Sequence, residues 1–145
     1  MTPRELGPGE TARAHGALRA LRPHLGDREA FVRHVDEVLR AQGYRLAAVL
    51  PAGGGDAEAA AGFRVLDMLA HGRILYVDDL STLPAARGRG HGAALLEWCA
   101  AEGRRLGCRS LQLDSGVGPE RADAHRLYLN AGMRIASHHF ARDLG

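Results

Sequence analysis

The chain has 145 residues, of which 46% are hydrophobic and 25% charged. This composition is typical of one soluble globular domain, and it excludes a disordered or collagen-like chain. Its formal net charge of +2 is too small to indicate nucleic-acid binding by itself. Because no apolar stretch is long enough to span a membrane and residues 1–10 lack the pattern of a secretory signal, we expect a single cytoplasmic domain, residues 1–145.

The first third of the chain predicts two helices. Apolar residues recur at three- and four-residue steps between Pro8 and Leu25, and Pro23 breaks the pattern. Asp27 is a candidate N-cap for the second helix, and Gly43 supplies its end.

The period then changes to that of strands. Apolar runs at Tyr44–Leu50, Ala59–Leu69 and Ile74–Leu83 predict three strands, and the last two are joined by a tight turn at His71-Gly72. A helix, a strand, a helix and one or two final strands are predicted to follow, at Gly90–Leu106, Arg109–Asp114, Pro119–Gly132 and Ile135–Leu144. This order predicts an α/β fold in which a mixed sheet carries helices on its faces.

A glycine-rich segment between a predicted strand and a predicted helix carries the first functional motif. It runs Arg87-Gly88-Arg89-Gly90-His91-Gly92-Ala93. Glycines at alternate positions let successive backbone N–H groups point to one concave side, at the positive end of the following helix. This arrangement favours binding of a pyrophosphate, with Arg87 and Arg89 adding positive charge. We expect the His91 side chain to face solvent beside the phosphate.

Other interpretations of this segment stay open at this stage. The pattern Gly88-x-Gly90-x-x-Ala93 also fits the fingerprint of dinucleotide-binding oxidoreductases, with Asp114 as the ribose-binding acid. Against it, Ser81–Arg87 separates the glycines from their strand, and the motif does not open the domain. A phosphate-cleaving P-loop is excluded because the chain has no lysine. A tight turn that binds nothing is the remaining alternative.

Two motifs taken together resemble those of the GNAT superfamily of N-acetyltransferases. Arg87-x-x-Gly90-x-Gly92, which follows the strand Tyr76–Leu80, is similar to the acetyl-CoA-binding motif of that superfamily. Further along, Ala124-His125-Arg126-Leu127-Tyr128-x-x-x-Gly132-Met133 resembles its second signature. The resemblance covers Ile74–Met133. It implies a GNAT-type fold, with a central mixed, mostly antiparallel sheet that is splayed between strands four and five and has helices on both faces.

The resemblance also implies acetyl-CoA as the acyl donor. In the superfamily, the pantetheine arm pairs with exposed backbone of strand four, and the pyrophosphate lies on the amides of the glycine turn. Arg121 stands where many members carry an asparagine that contacts the cofactor, and an arginine there would reach a phosphate instead. The cofactor-binding residues implied for this chain are Leu80, Ser81, Thr82, Arg87, Gly88, Arg89, Gly90, His91, Gly92 and Arg121.

Acyl transfer from a thioester to an amine needs a base for the amine and an acid for the departing thiolate. Tyr128 matches the tyrosine that superfamily members commonly use as the acid. Asp78 occupies the strand-four position of a catalytic carboxylate in several members and is our preferred base, with Asp79 and Asp114 as alternatives. Strand alternation predicts that Asp78 and Asp79 point to opposite faces of the sheet, unless a bulge changes their directions.

The sequence therefore predicts an N-acetyltransferase that moves an acetyl group from acetyl-CoA to a primary amine by direct transfer in a ternary complex. Cys99 lies on the apolar face of its helix, which disfavours an acetyl-cysteine, and no metal site is predicted. The alternatives are an inactive acyl-CoA-binding regulatory domain and, ranked below it, a dinucleotide-binding oxidoreductase. We expect a small-molecule or peptide amine as acceptor, no nucleic-acid or membrane partner, and a homodimer formed through the C-terminal strands, as is common in the superfamily.

Overall fold

The computed structural model describes residues 2–145, which form two compact units. The first unit ends at Leu113 and the second comprises Asp114–Gly145. No helix among the described residues combines the length and the apolar character that crossing a membrane requires.

The first unit is built on a five-stranded sheet whose spatial order follows the chain order. Its strands are β1 (Arg4–Leu6), β2 (Arg45–Val49), β3 (Ala59–Met68), β4 (Gly72–Thr82) and β5 (Ser110–Leu113). The first four strands pair antiparallel, whereas β5 pairs parallel to β4. The mixed sheet confirms the predicted fold class. A single parallel pair is also unlike the doubly wound parallel sheet that a dinucleotide-binding enzyme requires.

Helical segments lie between β1 and β2 and after β4. The α-helices are α1 (His15–Leu21), α2 (Arg28–Arg33), α3 (His91–Arg105) and, in the second unit, α4 (Ala122–Asn130). A 3₁₀ turn at Pro8–Ala14 leads into α1, and another follows at Pro23–Leu25. The predicted cap of the second helix is confirmed, because Oδ1 of Asp27 accepts a hydrogen bond from the Ala30 amide at 2.8 Å. Helix α2 continues as a π turn, His34–Leu39.

Helices cover both faces of the sheet, and each face carries its own core. Side chains alternate along β2, so that Leu46 packs with α1 and α2 while Ala47 packs with α3. The α1–α2 core includes Leu18 and Phe31. The α3 core includes Leu95, Cys99, Phe63 and Leu75. The predicted two-sided packing is confirmed.

Strand β4 contains a bulge at the two acidic residues. Gly62 pairs with Asp79 and Phe63 pairs with Val77, which leaves Asp78 as the extra residue of β4. The pairing of β4 with β5 ends at Val77–Leu113, whereas β4 continues along β3 as far as Thr82. After Val77, the β4 backbone therefore pairs with β3 but not with β5 among the described residues. This is the arrangement expected of a sheet that is splayed between β4 and β5.

Two predictions about strands were wrong. Strand β1 was not predicted, since its three residues carry no periodic signal of their own and it forms only by pairing with β2. The one or two final strands predicted at Ile135–Leu144 are not formed: residues 133–145 adopt neither helix nor strand, and Ile135, Phe140 and Leu144 are exposed. Alternation of apolar residues along a chain does not make a strand unless a partner edge accepts it.

Candidate active site

The glycine turn before α3 has the backbone conformation that the motif predicted. Gly88 and Gly90 have φ angles of +80° and +82°, in the left-handed region. A Cβ atom at either position would meet no atom within 4 Å. The backbone conformation, and not lack of space, therefore requires glycine at both positions.

The first turn of α3 presents amide groups beside these glycines. Gly90 caps the helix, and its carbonyl accepts the amide of Ala94 at 3.0 Å. The amides of His91, Gly92 and Ala93 come before the first intrahelical donor, so helix geometry leaves them without an acceptor inside α3. The side chains of Arg87 and Arg89 are exposed at the same turn. This turn therefore offers a diphosphate three kinds of favourable group: free amides, the N-terminus of a helix and two cations.

The His91 side chain corrects one prediction, because it is buried and does not face solvent. The residue is 8% exposed, and its Nε2 donates to Oε2 of Glu58 at 2.8 Å. The Arg89 guanidinium lies 3.7 Å from the same carboxylate oxygen. The backbone carbonyl of Glu58 also accepts the Leu83 amide at 2.8 Å. Glu58 thus joins the end of β4 to the first residue of α3.

The end of β4 leads directly to this turn. Leu80, Ser81 and Thr82 pair with β3, opposite residues 61, 60 and 59. Ser81 is buried, whereas Leu80 and Thr82 are half-buried. These residues and the glycine turn belong to the same unit, so the structure brings most of the predicted cofactor residues into one continuous segment.

The two acids of the bulge lie on the same face of the sheet, which answers the question that alternation left open. Asp78 forms a bidentate ion pair with Arg64, whose Nε and Nη2 donate to the two carboxylate oxygens at 3.1 and 2.8 Å. Asp79 accepts from Oη of Tyr44 at 2.8 Å and from Nε of Arg22 at 3.0 Å. Tyr44 packs in the α1–α2 core, and the Arg64 guanidinium lies 5.6 Å from the centre of its ring.

Burial shifts the pKa values of two groups in this cluster, Asp78 and Tyr44. It raises the pKa of Asp78 above its ordinary value, an effect that the Arg64 guanidinium opposes. Burial, followed by the negative charge of Asp79, raises the pKa of Tyr44 well above its ordinary value. Tyr44 therefore keeps its proton and remains a donor to Asp79.

Sequence reasoning missed the partners of these acids. Arg22 and Tyr44 come from the first third of the chain and reach Asp79 only through tertiary packing. One local signal was present: Gly62 lies inside a predicted strand, where a glycine often marks a close approach. A Cβ atom at Gly62 would lie 1.7 Å from Oη of Tyr44, so glycine here makes room for the Tyr44–Asp79 contact.

A cavity of about 390 Å³ lies beside Asp79, between β4 and the helices of the α1–α2 face. Apolar side chains from α1, α2 and the turns around them form most of its wall. The polar lining residues are Arg22, His24, His34, Tyr44 and Asp79. The cavity is the right size for a small molecule.

The remaining predicted residues lie in the second unit, Asp114–Gly145. Nη2 of Arg121 lies 3.5 Å from Oη of Tyr128, so these two predicted residues are neighbours within that unit. Tyr128 is on α4, whose predicted end at Gly132 is confirmed by a φ of +83°. Asp114, the third candidate base, lies 3.5 Å from Nδ1 of His139.

The cysteine thiols are free, and Cys99 is buried in the α3 core. Burial raises the pKa of Cys99 to about 12, so its thiolate form is disfavoured at neutral pH and it is a poor nucleophile. Within residues 2–145, no group of three or more His, Cys, Asp or Glu side chains is arranged to hold a metal ion.

Comparison with known proteins agrees with this geometry. The family model described as the acetyltransferase (GNAT) family matches residues 39–133. An aminoalkylphosphonate N-acetyltransferase from Salmonella typhimurium is 34% identical over 68 residues, which are 47% of this chain and 43% of that protein. The match thus spans less than half the length of this relative.

Solved structures extend the similarity to nearly the whole chain. An acetyltransferase from Trypanosoma brucei superposes with a TM-score of 0.81 at 19% identity, over 98% of both chains. An aminoglycoside N-acetyltransferase, crystallised in complex with CoA, superposes with a TM-score of 0.79 at 18% identity, over 99% of this chain and 94% of that chain. At such identities the two structures show the fold. Together with the matching family model, they establish that the chain belongs to the GNAT acetyltransferase family.

Proposed function

We propose that this protein transfers an acetyl group from acetyl-CoA directly to a primary amine, with both substrates bound at once. The observation that carries the proposal is the turn at Gly88 and Gly90, whose left-handed glycines and free helix amides fit a diphosphate. The CoA bound by the aminoglycoside N-acetyltransferase of the same fold supports this choice of donor. Acetyl-CoA supplies the acetyl group as an activated thioester.

The chain's own residues have separate tasks in binding. The amides of residues 88–92, with Arg87 and Arg89, hold the diphosphate. The backbone of Leu80–Thr82 has no registered partner on the β5 side and pairs with the pantetheine arm. The cavity beside Asp79 holds the acceptor amine.

The proposed chemistry moves two protons while one C–N bond forms and one C–S bond breaks. A carboxylate of the β4 bulge takes a proton from the attacking amine, directly or through a water molecule. Both acids are paired with an arginine, but Asp79 is the better placed because it lines the cavity and Asp78 does not. Tyr128 gives its phenolic proton to the departing thiolate. The high pKa of the Cys99 thiol further supports direct transfer over an acetyl-cysteine route.

Thiol release from acetyl-CoA in the presence of a panel of primary amines tests this function. We expect release that depends on both acetyl-CoA and an amine, and an acetylated amine detected by mass spectrometry. Tyr128→Phe is expected to lower kcat by ~10²-fold, the usual contribution of a general acid, with CoA affinity unchanged. CoA binding with no turnover of any amine would instead indicate the inactive regulatory domain.

A further inference from the structure

In the cavity beside Asp79, which holds the acceptor in the proposed function, some polar side chains have hydrogen-bond partners and others have none. The inference drawn from this difference rests on the proposed function. Asp79 already has two donors, Tyr44 and the Arg22 guanidinium. By contrast, His24 and His34 are exposed at the cavity wall and have no hydrogen-bond or ion-pair partner anywhere in residues 2–145. The unpartnered polar groups of the cavity are therefore imidazoles and not carboxylates.

The charge balance of the cavity points in the same direction. Arg22 lies 3.0 Å from the Asp79 carboxylate and matches its charge. The neighbouring Asp78 is matched by Arg64 at 2.8 Å. No unmatched carboxylate among the residues that line the cavity would attract a second cationic group of an acceptor. An imidazole offers an N–H donor in its neutral form and two in its charged form, so both histidines suit an anionic group.

The two histidines are presented by separate helical segments. His24 lies in the 3₁₀ turn Pro23–Leu25, and His34 begins the π turn that ends α2. Short π segments within helices frequently occur at functional sites. Asp79, in contrast, comes from β4. The cavity thus receives its carboxylate from the sheet and its imidazoles from the helical layer, with apolar side chains such as Phe31 and Val35 in the remaining wall.

We propose that the acceptor is a small primary amine whose short carbon chain ends in an anionic group, a carboxylate, phosphonate or phosphate. The amine lies at Asp79, where its proton is removed. The anionic group binds His24 and His34, which act as specificity-determining residues. The cavity volume of about 390 Å³ fits an acceptor the size of a small metabolite.

A matched series of acceptors tests the proposal. The anionic members are β-alanine, aminoethylphosphonate and phosphoethanolamine, and their neutral and dicationic counterparts are ethanolamine and ethylenediamine. Values of kcat/KM, expressed per unprotonated amine, are measured for the native protein, for the double variant H24A/H34A and for His71→Ala. His71 is an exposed histidine in the turn between β3 and β4, outside the cavity, and serves as the control.

We expect the native protein and His71→Ala to prefer the anionic acceptors. In H24A/H34A, the ratio of kcat/KM for an anionic acceptor to that for ethanolamine should fall by ~10-fold, mainly through KM, as expected for lost hydrogen bonds to a charged group. A preference for ethylenediamine or ethanolamine, or an unchanged ratio in the double variant, would overturn the proposal while leaving amine acetylation intact.

A binding measurement separates the proposal from the proposed function. Calorimetric titration of the same acceptors into the protein–CoA complex detects the acceptor site without turnover. Anionic amines that bind the native complex, bind H24A/H34A more weakly and are never acetylated would support the cavity assignment and refute the acetyltransferase proposal. Failure of the anionic amines to bind would refute the cavity assignment.

Discussion

Asp78 and Asp79 are adjacent in sequence and share a face of the sheet, but they have different surroundings. Asp79 lines the cavity and accepts from a neutral phenol and a half-exposed Arg22. Asp78 accepts hydrogen bonds from Nε and Nη2 of Arg64 and lies outside the cavity lining. A base must reach the amine before its proton affinity matters, so position favours Asp79.

Replacing each acid by its amide separates these roles. Asp79→Asn should lower kcat by ~10²-fold, because it removes the carboxylate that is proposed to take a proton from the bound amine. Asp78→Asn should lower kcat less than tenfold and reduce thermal stability by ~1 kcal/mol, because Arg64 loses the carboxylate that neutralises its charge in a half-buried site. Both are measured by steady-state kinetics at saturating acetyl-CoA and by thermal denaturation. A larger kinetic loss in Asp78→Asn would assign the base to Asp78.

The sequence could predict those site residues whose role depends on local conformation. Gly88 and Gly90 were recognisable because a left-handed backbone selects glycine wherever it occurs. The partners of Asp79 were not recognisable, because they depend on the β3–β4 register. Only that register and its bulge set Gly62 opposite Asp79 and leave space for Tyr44. Such pairings join segments far apart in the chain, and a glycine within a strand, such as Gly62, marks a close approach without identifying the residue that approaches.

Among the elements, the predicted boundaries were most accurate where a capping or turn residue marks them. Asp27 is the N-cap of α2, which begins at Arg28, and Gly72, with a φ of +69°, lies at the predicted turn, where β4 begins two residues before the predicted Ile74. The elements that failed, β1 and the final strands, lack such residues and depend on pairing with another strand. Propensity alone therefore missed one short edge strand, β1, and predicted one or two final strands that are not formed.

The link from Glu58 to His91 supports the start of α3, and its removal should affect the donor site selectively. We expect Glu58→Ala to raise KM for acetyl-CoA severalfold, since the first turn of α3 loses the contact that holds His91, while KM for the amine changes little. Glu58→Gln retains a hydrogen-bond acceptor and should restore part of the affinity. Glu97→Ala, which replaces an exposed acid on α3, is the control. Equal changes in both KM values would show that Glu58 acts on overall stability only.

A second link joins α3 to the sheet and should make stability depend on pH. Glu102 is 8% exposed and pairs with Arg105 at 2.6 Å and with Arg45 of β2. The Arg105 hydrogen bond, followed by that of Arg45, lowers the pKa of Glu102 from 4.5 to about 2. A lowered carboxyl pKa stabilises the fold above the unfolded value, and this contribution disappears as the pH falls from about 4.5 towards about 2.

Glu102→Gln should therefore destabilise the protein by about 2 kcal/mol at neutral pH, measured by urea denaturation. The difference from the native protein should shrink steadily as the pH is lowered through the range in which a free glutamate titrates. Glu97→Gln, in which an exposed acid is replaced, should show little difference at any pH. A pH-independent loss in Glu102→Gln would mean that packing, and not charge, accounts for its effect.

At the scale of the whole molecule, membership of the GNAT family and the mixed sheet account for the order of elements from β1 to α4. Homodimerisation stays a prediction, and the C-terminal strands expected to mediate it are not formed among the described residues. The proposed acetyl transfer depends on one claim, that the glycine turn before α3 binds the diphosphate of CoA.

Calorimetric titration of CoA into the native protein, Gly90→Ala and Gly107→Ala tests that claim most directly. Both glycines have positive φ, +82° and +74°, both have open space around a Cβ, and they lie at opposite ends of α3. Each substitution should cost a similar ~1–2 kcal/mol of stability, which removes stability as an explanation for any difference in binding. We predict that the native protein and Gly107→Ala bind CoA alike, while Gly90→Ala binds it at least tenfold more weakly. Absence of heat with the native protein, or equal affinity in the two variants, would contradict it.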